Sequence, residues 1–181
     1  MIPRGMVHGR FQPLHNGHLA YLEAAAGRCA HLFVGITNPD RRAVRPEEDD
    51  PRRHLPESNP LTYTERLLMI SAAAEAAGIE GIRIIPFPIT EPDLWDDYVP
   101  PDAVHFVRLF SSWGNSKLDR LRARGYRTEV LVAPEGKVVS GEQVRAAIRD
   151  GGDWRGLVPP AVARFIDDLP AGHALAPRPA A

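Results

Sequence analysis

The sequence predicts an α/β protein built on a doubly wound sheet of five parallel strands with helices on both faces. Within the first 36 residues, a short apolar run ending in Gly9 is followed by a helical pattern and a second apolar run, which is the order of a β-α-β unit. Apolar runs and helical patterns then alternate along the chain. The 181 residues fit one domain, and 44% of them are hydrophobic, which is enough to bury a core.

The individual elements follow from periodicity and from residues that begin or end helices. Strands are predicted over 5–9, 31–36, 82–87, 104–110 and 127–132, and helices over 17–28, 62–77, 117–124, 140–149 and 160–169. Thr62 and Glu65 have the spacing of a capping box. Gly78, Gly125 and Gly151 stand where helices should end. The arrangement is Rossmann-like.

The pattern is interrupted once, between residues 38 and 60. Five prolines and the acidic run 47–50 make this stretch a long polar loop, and loops of this length are usually either functional or disordered. We therefore expect a single domain over residues 1–170 with a polar insertion at 38–60. The tail over 171–181 is rich in Ala and Pro, so we expect it to be flexible.

Net charge, apolar runs and cysteine content limit the binding partners and the cellular location that we expect for this protein. The net charge is -1 at pH 7, so no overall basic field attracts nucleic acid or an anionic membrane, and any anion must be captured locally. No apolar run approaches the roughly 20 residues that span a bilayer. Cys29 is the single cysteine, which excludes a disulfide framework and favours a cytoplasmic location.

The segment GRFQPLHNGH, from Gly9 to His18, lies between the first strand and the first helix. In a parallel sheet this is the carboxyl-end crevice where ligands bind, and the following helix directs free N–H groups toward it. His15 and His18 flank Gly17, which lets a phosphate approach the backbone, and Arg10 adds a forked cation. These groups can stabilise charge on a triphosphate without acting as nucleophiles.

Other interpretations of this loop are weaker. In an isolated HxGH motif the two histidines could equally be ordinary surface residues at a helix start, but here the pair follows a strand and lies beside GRFQP. A zinc site would need further ligands at suitable spacing. Neither the GxGxxG pattern of dinucleotide-binding proteins nor a Walker loop occurs in the chain.

The Gly9–His18 segment resembles the HxGH signature of the nucleotidyltransferase superfamily, and its longer form is similar to the archaeal-type nicotinamide mononucleotide (NMN) adenylyltransferases. The likeness covers roughly residues 4–169, including segments 59–70, 94–101, 114–126 and 154–159. It implies in-line attack by an anionic acceptor oxygen on the α-phosphorus of a Mg²⁺-bound nucleoside triphosphate, with release of pyrophosphate. The catalytic residues that it implies are His15, His18, Arg10 and Arg145.

A second segment, SGEQVR from Ser140 to Arg145, fits the SxxxxR signature of the same superfamily. Ser140 is a favourable helix N-cap, so the helix end and Arg145 would face the β- and γ-phosphates. Glu142 departs from the usual Thr, and a carboxylate close to a triphosphate is unfavourable. Lys137 is either a further phosphate contact or an ordinary exposed lysine. The implied nucleotide-binding residues are Gly9, Arg10, Phe11, Gln12, His15, Gly17, His18, Asn115, Ser140, Gly141, Val144 and Arg145.

The acceptor side admits two interpretations. Trp95 matches a position where the adenylyltransferases stack nicotinamide, although it could equally be a core residue. The arginines of the 38–60 loop suit a small, densely charged anion, or else pair with the acidic run 47–50. The candidate acceptor-binding residues are Thr37, Asn38, Arg41, Arg42, Arg52, Arg53 and Trp95.

The chain also resembles the small branch of this superfamily that uses CTP to activate a phosphonate such as phosphonoformate. We therefore expect cytidylyl transfer from CTP to a small phosphonate. NMN adenylyl transfer from ATP is the alternative, and an inactive nucleotide-binding sensor is a remote one. The cofactor implied is Mg²⁺ carried by the triphosphate, with no metal held by protein ligands. Because relatives often self-associate, a homo-oligomer is a further expectation.

Overall fold

The computed structural model describes residues 1–46, 51–109, 112–132 and 139–177. Five parallel strands form one sheet in the order β3-β2-β1-β4-β5. The strands are β1 (Ile2–Gly9), β2 (Cys29–Thr37), β3 (Ile82–Phe87), β4 (Val104–Val107) and β5 (Arg127–Val130). The predicted α/β fold with a five-stranded parallel sheet is therefore confirmed.

Within these described residues, six helices accompany the sheet. They are α1 (Asn16–Ala26), α2 (Tyr63–Ala76), α3 (Trp95–Tyr98), α4 (Ser112–Ala123), α5 (Gly141–Arg149) and α6 (Pro160–Asp167). The sequence predicts all of them except α3, whose four residues are too few to show a helical period. Within the part of the chain that the structure describes, no helix is long and apolar enough to cross a membrane.

Two strands are shorter than predicted, since β4 ends at Val107 and β5 at Val130. After β4 the chain turns so that the Arg108 guanidinium donates to the carbonyl oxygens of Gly17 and Ala20 at 3.1 Å each. The side chain of Arg108 therefore supports α1 rather than extending the sheet. Phe110, the acidic run 47–50, Lys137 and the end of the tail at 178–181 lie outside the described residues.

The beginnings of α2 and α5 follow from local sequence. Thr62 Oγ1 accepts the Glu65 N–H at 3.2 Å, while a Glu65 carboxylate oxygen accepts the Thr62 N–H at 2.7 Å. Ser140 and Gln143 make the same reciprocal pair at α5. Each capping box satisfies backbone donors that the helix itself leaves open, so both helices begin where the sequence predicts.

The helices cover the two faces of the sheet separately. One apolar core packs α1, α2, α5 and α6 against the sheet and includes Val7 of β1. A second core lies under α3 and α4 and contains Met6, the neighbour of Val7 on the opposite face. From β1 the chain builds toward β3 at one edge, then crosses to β4 and continues to β5 at the other.

The strand order thus reverses between β1 and β4. In open α/β sheets, ligands bind at the carboxyl ends of the strands at such a point. The loop from Gly9 to His18 leaves β1 at this place.

Candidate active site

The loop after β1 brings His15 and His18 into stacked contact, with ring centroids 3.7 Å apart. His15 is the N-cap of α1, and its Nδ1 accepts a hydrogen bond from the backbone N–H of His18 at 3.3 Å. Because Nδ1 is an acceptor here, a neutral His15 carries its proton on Nε2. A Cβ at Gly17 would lie 3.1 Å from His15 Nδ1, which explains the glycine between the two histidines.

His18 is held in its neutral form. Burial, followed by the charges of His15 and Arg10, lowers the pKa of His18 well below its ordinary value. Its Nδ1 is buried and makes no hydrogen bond to any described residue. At neutral pH this imidazole therefore keeps hydrogen-bonding capacity for a ligand.

The two motifs predicted from the sequence meet at the backbone of Gln12. Arg145 Nη1 donates to the Gln12 carbonyl oxygen at 2.6 Å. A Cβ at Gly141 would approach the same oxygen to 2.9 Å, so α5 begins in close contact with the loop. Burial, followed by the charge of Arg10, lowers the pKa of Arg145 to about 10, and the guanidinium remains charged at neutral pH. Two cations thus share one side of the crevice.

Several predicted nucleotide-contacting side chains point into the protein. Phe11 is fully buried in the left-handed region at a φ of 51° and lies 4.8 Å from the His18 ring, between centroids. The Gln12 amide donates to the Leu61 carbonyl at 2.8 Å and accepts the Leu61 N–H at 2.9 Å. Val144 of α5 is buried in the first apolar core. In this structure these side chains fix the shape of the loop and its attachment to the segment before α2.

Arg66 is a buried residue of the site that sequence reasoning misses. Its side chain is fully buried and donates to five carbonyl oxygens, at 2.8 to 3.3 Å, belonging to Arg10, Thr37, Asn38, Pro39 and Thr62. Burial lowers its pKa to about 10. Arg66 therefore ties the loops that follow β1 and β2 to α2. The available signal is its spacing with Met69, Ile70 and Ala73, which places an arginine on the apolar face of the helix.

The arginines of the 38–60 loop do not form one cluster. Arg53 is buried and donates to Thr37 Oγ1 at 3.2 Å, while its carbonyl accepts from Arg10 at 3.3 Å. Arg41 donates to the Pro60 carbonyl at 2.8 Å. The Arg42 side chain is 90% exposed. Among these described residues, it is Arg53 whose side chain faces the interior beside the HxGH loop.

Arg52 neutralises the carboxylate of Glu142, the residue that stands in place of the usual Thr. The two side chains form an ion pair at 3.1 Å between the loop and the first turn of α5. Both are about two-thirds exposed, at 67% and 66%, so the pair contributes little to stability. Its effect is to compensate the negative charge that a triphosphate would otherwise meet.

Trp95 is a core residue in this structure. Its indole is fully buried, packs against Phe87 and Tyr126, and donates from Nε1 to the Pro88 carbonyl at 3.0 Å. In this structure the ring contacts other residues of the second core. Asn115, by contrast, lies exposed in the first turn of α4.

A protein-held metal site is absent from the described residues, among which no three His, Cys, Asp or Glu side chains are grouped to hold an ion. A Mg²⁺ ion that travels on a triphosphate needs no such cage, because phosphate oxygens and water supply most of its ligands.

Comparison with known proteins finds a matching family model and sequence relatives that are named as nucleotidyltransferases. Residues 6–85 match the family model described as cytidylyltransferase-like. A Streptomyces viridochromogenes protein named phosphonoformate cytidylyltransferase is 52% identical over 91% of this chain and 90% of its own length. A nicotinamide-nucleotide adenylyltransferase of Thermococcus onnurineus is 33% identical over 93% of this chain and 84% of its own length.

Solved structures share the fold at low sequence identity. A bifunctional NMN adenylyltransferase/ADP-ribose pyrophosphatase of Francisella tularensis matches 92% of this chain with a TM-score of 0.68 at 16% identity, and this chain spans about half its length, 50%. A Vibrio parahaemolyticus protein titled as a nicotinate-nucleotide adenylyltransferase matches 92% of this chain and 99% of its own, with a TM-score of 0.55 at 14% identity. These likenesses show the fold alone.

The doubly wound sheet, the HxGH loop at its switch point and the sequence relatives define a nucleotidyltransferase. The chain belongs to the cytidylyltransferase-like family.

Proposed function

We propose that this enzyme transfers CMP from Mg-CTP to a small phosphonate, with phosphonoformate as the acceptor, and releases pyrophosphate. The observation that carries the proposal is the 52% identity, over nine-tenths of both chains, to the protein named phosphonoformate cytidylyltransferase. The relative named for nicotinamide nucleotide is 33% identical.

The reaction is a single displacement at phosphorus. A phosphonate oxygen attacks the α-phosphorus of CTP, the new P–O bond forms, and the bond to the β-phosphate oxygen breaks with its electron pair leaving on pyrophosphate. The attacking oxygen is already anionic, so no protein base has to remove a proton. Catalysis of this kind rests on positioning and on stabilising charge as it develops.

The HxGH loop is suited to that task. His15 Nδ1 accepts a backbone hydrogen bond, which leaves Nε2 as the ring nitrogen that can donate, and neutral His18 retains an unused ring nitrogen. Arg10 and Arg145 supply positive charge, and Arg145 is held by the Gln12 carbonyl. We assign these residues to the α-, β- and γ-phosphates. Preorganised donors in a site of low polarity stabilise a transition state more effectively than water does.

The test is a pyrophosphate-release assay with Mg²⁺ that crosses CTP and ATP with phosphonoformate and NMN, with the product identified by ³¹P NMR. We expect turnover with CTP and phosphonoformate, and a new resonance for the mixed phosphonate–phosphate anhydride. The Arg10→Met variant should be nearly inactive, whereas Arg122→Met, at an exposed position of α4, should match the wild type. Turnover confined to ATP and NMN would overturn the proposal.

A further inference from the structure

Two histidines of the sheet lie at the point where the strand order reverses, on the face opposite α1. His8 is in β1 and His105 is in β4, with ring centroids 5.5 Å apart. His8 is 3% exposed and His105 is fully buried. Both belong to the face covered by α3 and α4, because each alternates with a residue of that core, Met6 and Val107 respectively.

Both ring nitrogens of His8 and both of His105 are buried without a hydrogen-bond partner among the described residues. The contacts of these rings are aromatic instead, with Phe87 5.5 Å from His8 and Tyr126 5.0 Å from His105 between centroids. Leaving a buried polar group without a partner is costly, and apolar rings would fill the same space without that cost. The four ring nitrogens of His8 and His105 therefore have hydrogen-bonding capacity that a bound ligand could satisfy.

Lys117 lies on α4, which covers this face of the sheet through Leu118 and Leu121. Its charge lowers the pKa of His8, His105 and His18, after the larger effect of burial on each. Burial, followed by the charge of Arg53, lowers the pKa of Lys117 itself to about 7. No carboxylate contributes to these shifts among the described residues. Basic groups that converge at a crevice without an opposing acid are typical of an anion-binding site.

The position of this cluster relates it to the reaction. His8 precedes Gly9, where the HxGH loop begins, and Lys117 is close enough to influence His18. The nucleotide-binding motifs, however, rest on the face of α1 and α5. The cluster thus lies on the opposite face of β1 from those motifs, and in-line displacement requires the acceptor to approach opposite the leaving pyrophosphate.

We propose that His8, His105 and Lys117 form an acceptor subsite that binds the acidic group of the acceptor that does not react. For a phosphonate that bears a carboxylate, the phosphonate would face His18 and the carboxylate would face this subsite. The imidazoles supply neutral N–H donors and Lys117 supplies the charge. This inference rests on the proposed function, since it assigns a binding site to the acceptor of that reaction.

The experiment compares phosphonoformate with methylphosphonate, which lacks the second acidic group, as acceptors with CTP. The variants are Lys117→Met, Lys117→Arg and His105→Phe, and the control is Arg122→Met, which removes an exposed cation from the same helix. The wild type should prefer phosphonoformate in kcat/KM. Because a hydrogen bond to a charged group contributes about 1.5–3 kcal/mol, Lys117→Met and His105→Phe should each reduce that preference by about tenfold or more.

The loss should appear as a higher KM for phosphonoformate, while the KM for CTP is retained and Lys117→Arg recovers part of the preference. A merely structural role would alter both substrates alike. Wild-type turnover with an unchanged acceptor preference in Lys117→Met and His105→Phe would overturn the subsite alone. Absence of wild-type turnover with CTP and phosphonoformate would overturn the proposed function and the subsite with it.

Discussion

The Arg145 guanidinium donates to the Gln12 carbonyl oxygen at 2.6 Å, joining residues 133 positions apart in the chain. The bond connects the helix that begins at Gly141 with the loop that carries His15 and His18. The two motifs that we assign to the phosphates of CTP are therefore held in register in the absence of a nucleotide. Preorganisation of this kind reduces the conformational cost of binding.

Arg145→Ala should weaken CTP binding. Removing a charge-assisted contact to phosphate costs about 1.5–3 kcal/mol, which corresponds to about a tenfold to hundredfold rise in Kd. Arg149→Ala is the matched control, because Arg149 is on the same helix but exposed and paired with Asp150. Calorimetry with Mg-CTP measures both variants. Equal affinity of Arg145→Ala and the wild type would contradict the assignment of this residue to the triphosphate.

His18→Ala should lower kcat by about a hundredfold to a thousandfold, the usual cost of losing one transition-state donor. Its Kd for CTP should change little, because the imidazole is assigned to charge that develops during the reaction. The control is His31→Ala, at an exposed position in β2. Steady-state kinetics and calorimetry separate the two effects. Wild-type turnover in His18→Ala would remove this residue from the catalytic group.

Gly141→Ala should disturb the contact between α5 and the HxGH loop. The added methyl would lie 2.9 Å from the Gln12 carbonyl oxygen and 3.2 Å from Arg145 Nη1, so one of them must move. We expect CTP affinity to fall by about tenfold, with a loss of about 1–3 kcal/mol in stability from overpacking. In Gly27→Ala the nearest atom lies at 3.6 Å, and this control should bind CTP normally. Normal CTP binding by both variants would show that the HxGH loop can move away from the added methyl without affecting the nucleotide site.

Arg66→Met should destabilise the fold, because carbonyl oxygens at the ends of β1 and β2 would lose a buried donor. We expect the free energy of unfolding to fall by about 3 kcal/mol or more. Arg66→Lys should not restore it, since a single ammonium cannot span two loops as the guanidinium fork does. Urea denaturation measures the loss, with exposed Arg42→Met as the control. A change of less than about 1 kcal/mol in Arg66→Met would refute the bracing role.

Acid should destabilise the protein through its buried histidines. The folded-state pKa is lowered for His8, His18 and His105, to about 4 for His105. As the pH falls below about 6.5, these histidines bind protons in the unfolded chain but not in the folded protein. Their contribution to the free energy of unfolding is therefore complete above this pH and declines below it. Each such histidine adds a slope of about 1.4 kcal/mol per pH unit. Lys117, with a pKa of about 7, is largely protonated in both states at acidic pH and adds little there.

His105→Phe isolates one of these contributions. Between pH 7 and pH 5, its unfolding free energy should fall by about 2 kcal/mol less than that of the wild type. Exposed His31→Gln serves as the control and should follow the wild type. Urea denaturation at the two pH values is the measurement. Parallel losses in wild type and His105→Phe would mean that His105 is protonated in the folded protein.

The features that were predictable from the sequence are local ones. The Thr62–Glu65 capping box and the helix that begins after Ser140 depend on residues three apart, and both are confirmed. The alternation of strands and helices was sufficient to predict the sheet, because parallel strands require crossover helices. The meeting of the HxGH loop with the SxxxxR helix follows from that topology.

The features that could not be predicted depend on which way a side chain turns in a loop. Gln12 and Trp95 have polar atoms that suit a ligand equally well, yet they bind the backbone of Leu61 and Pro88. The spacing of Arg66 places it on the apolar face of α2, but the five carbonyl oxygens that it binds become apparent only in the folded chain. His8 and His105 are 97 positions apart, and only the pairing of β1 with β4 makes them neighbours.

The central place of β1 has an evolutionary consequence. Its carboxyl end leads into the phosphate-handling loop beside one layer of helices, while His8 faces the other layer. With the acceptor subsite proposed for the layer of α3 and α4, a lineage could exchange one acceptor for another through substitutions there and leave the HxGH loop unchanged.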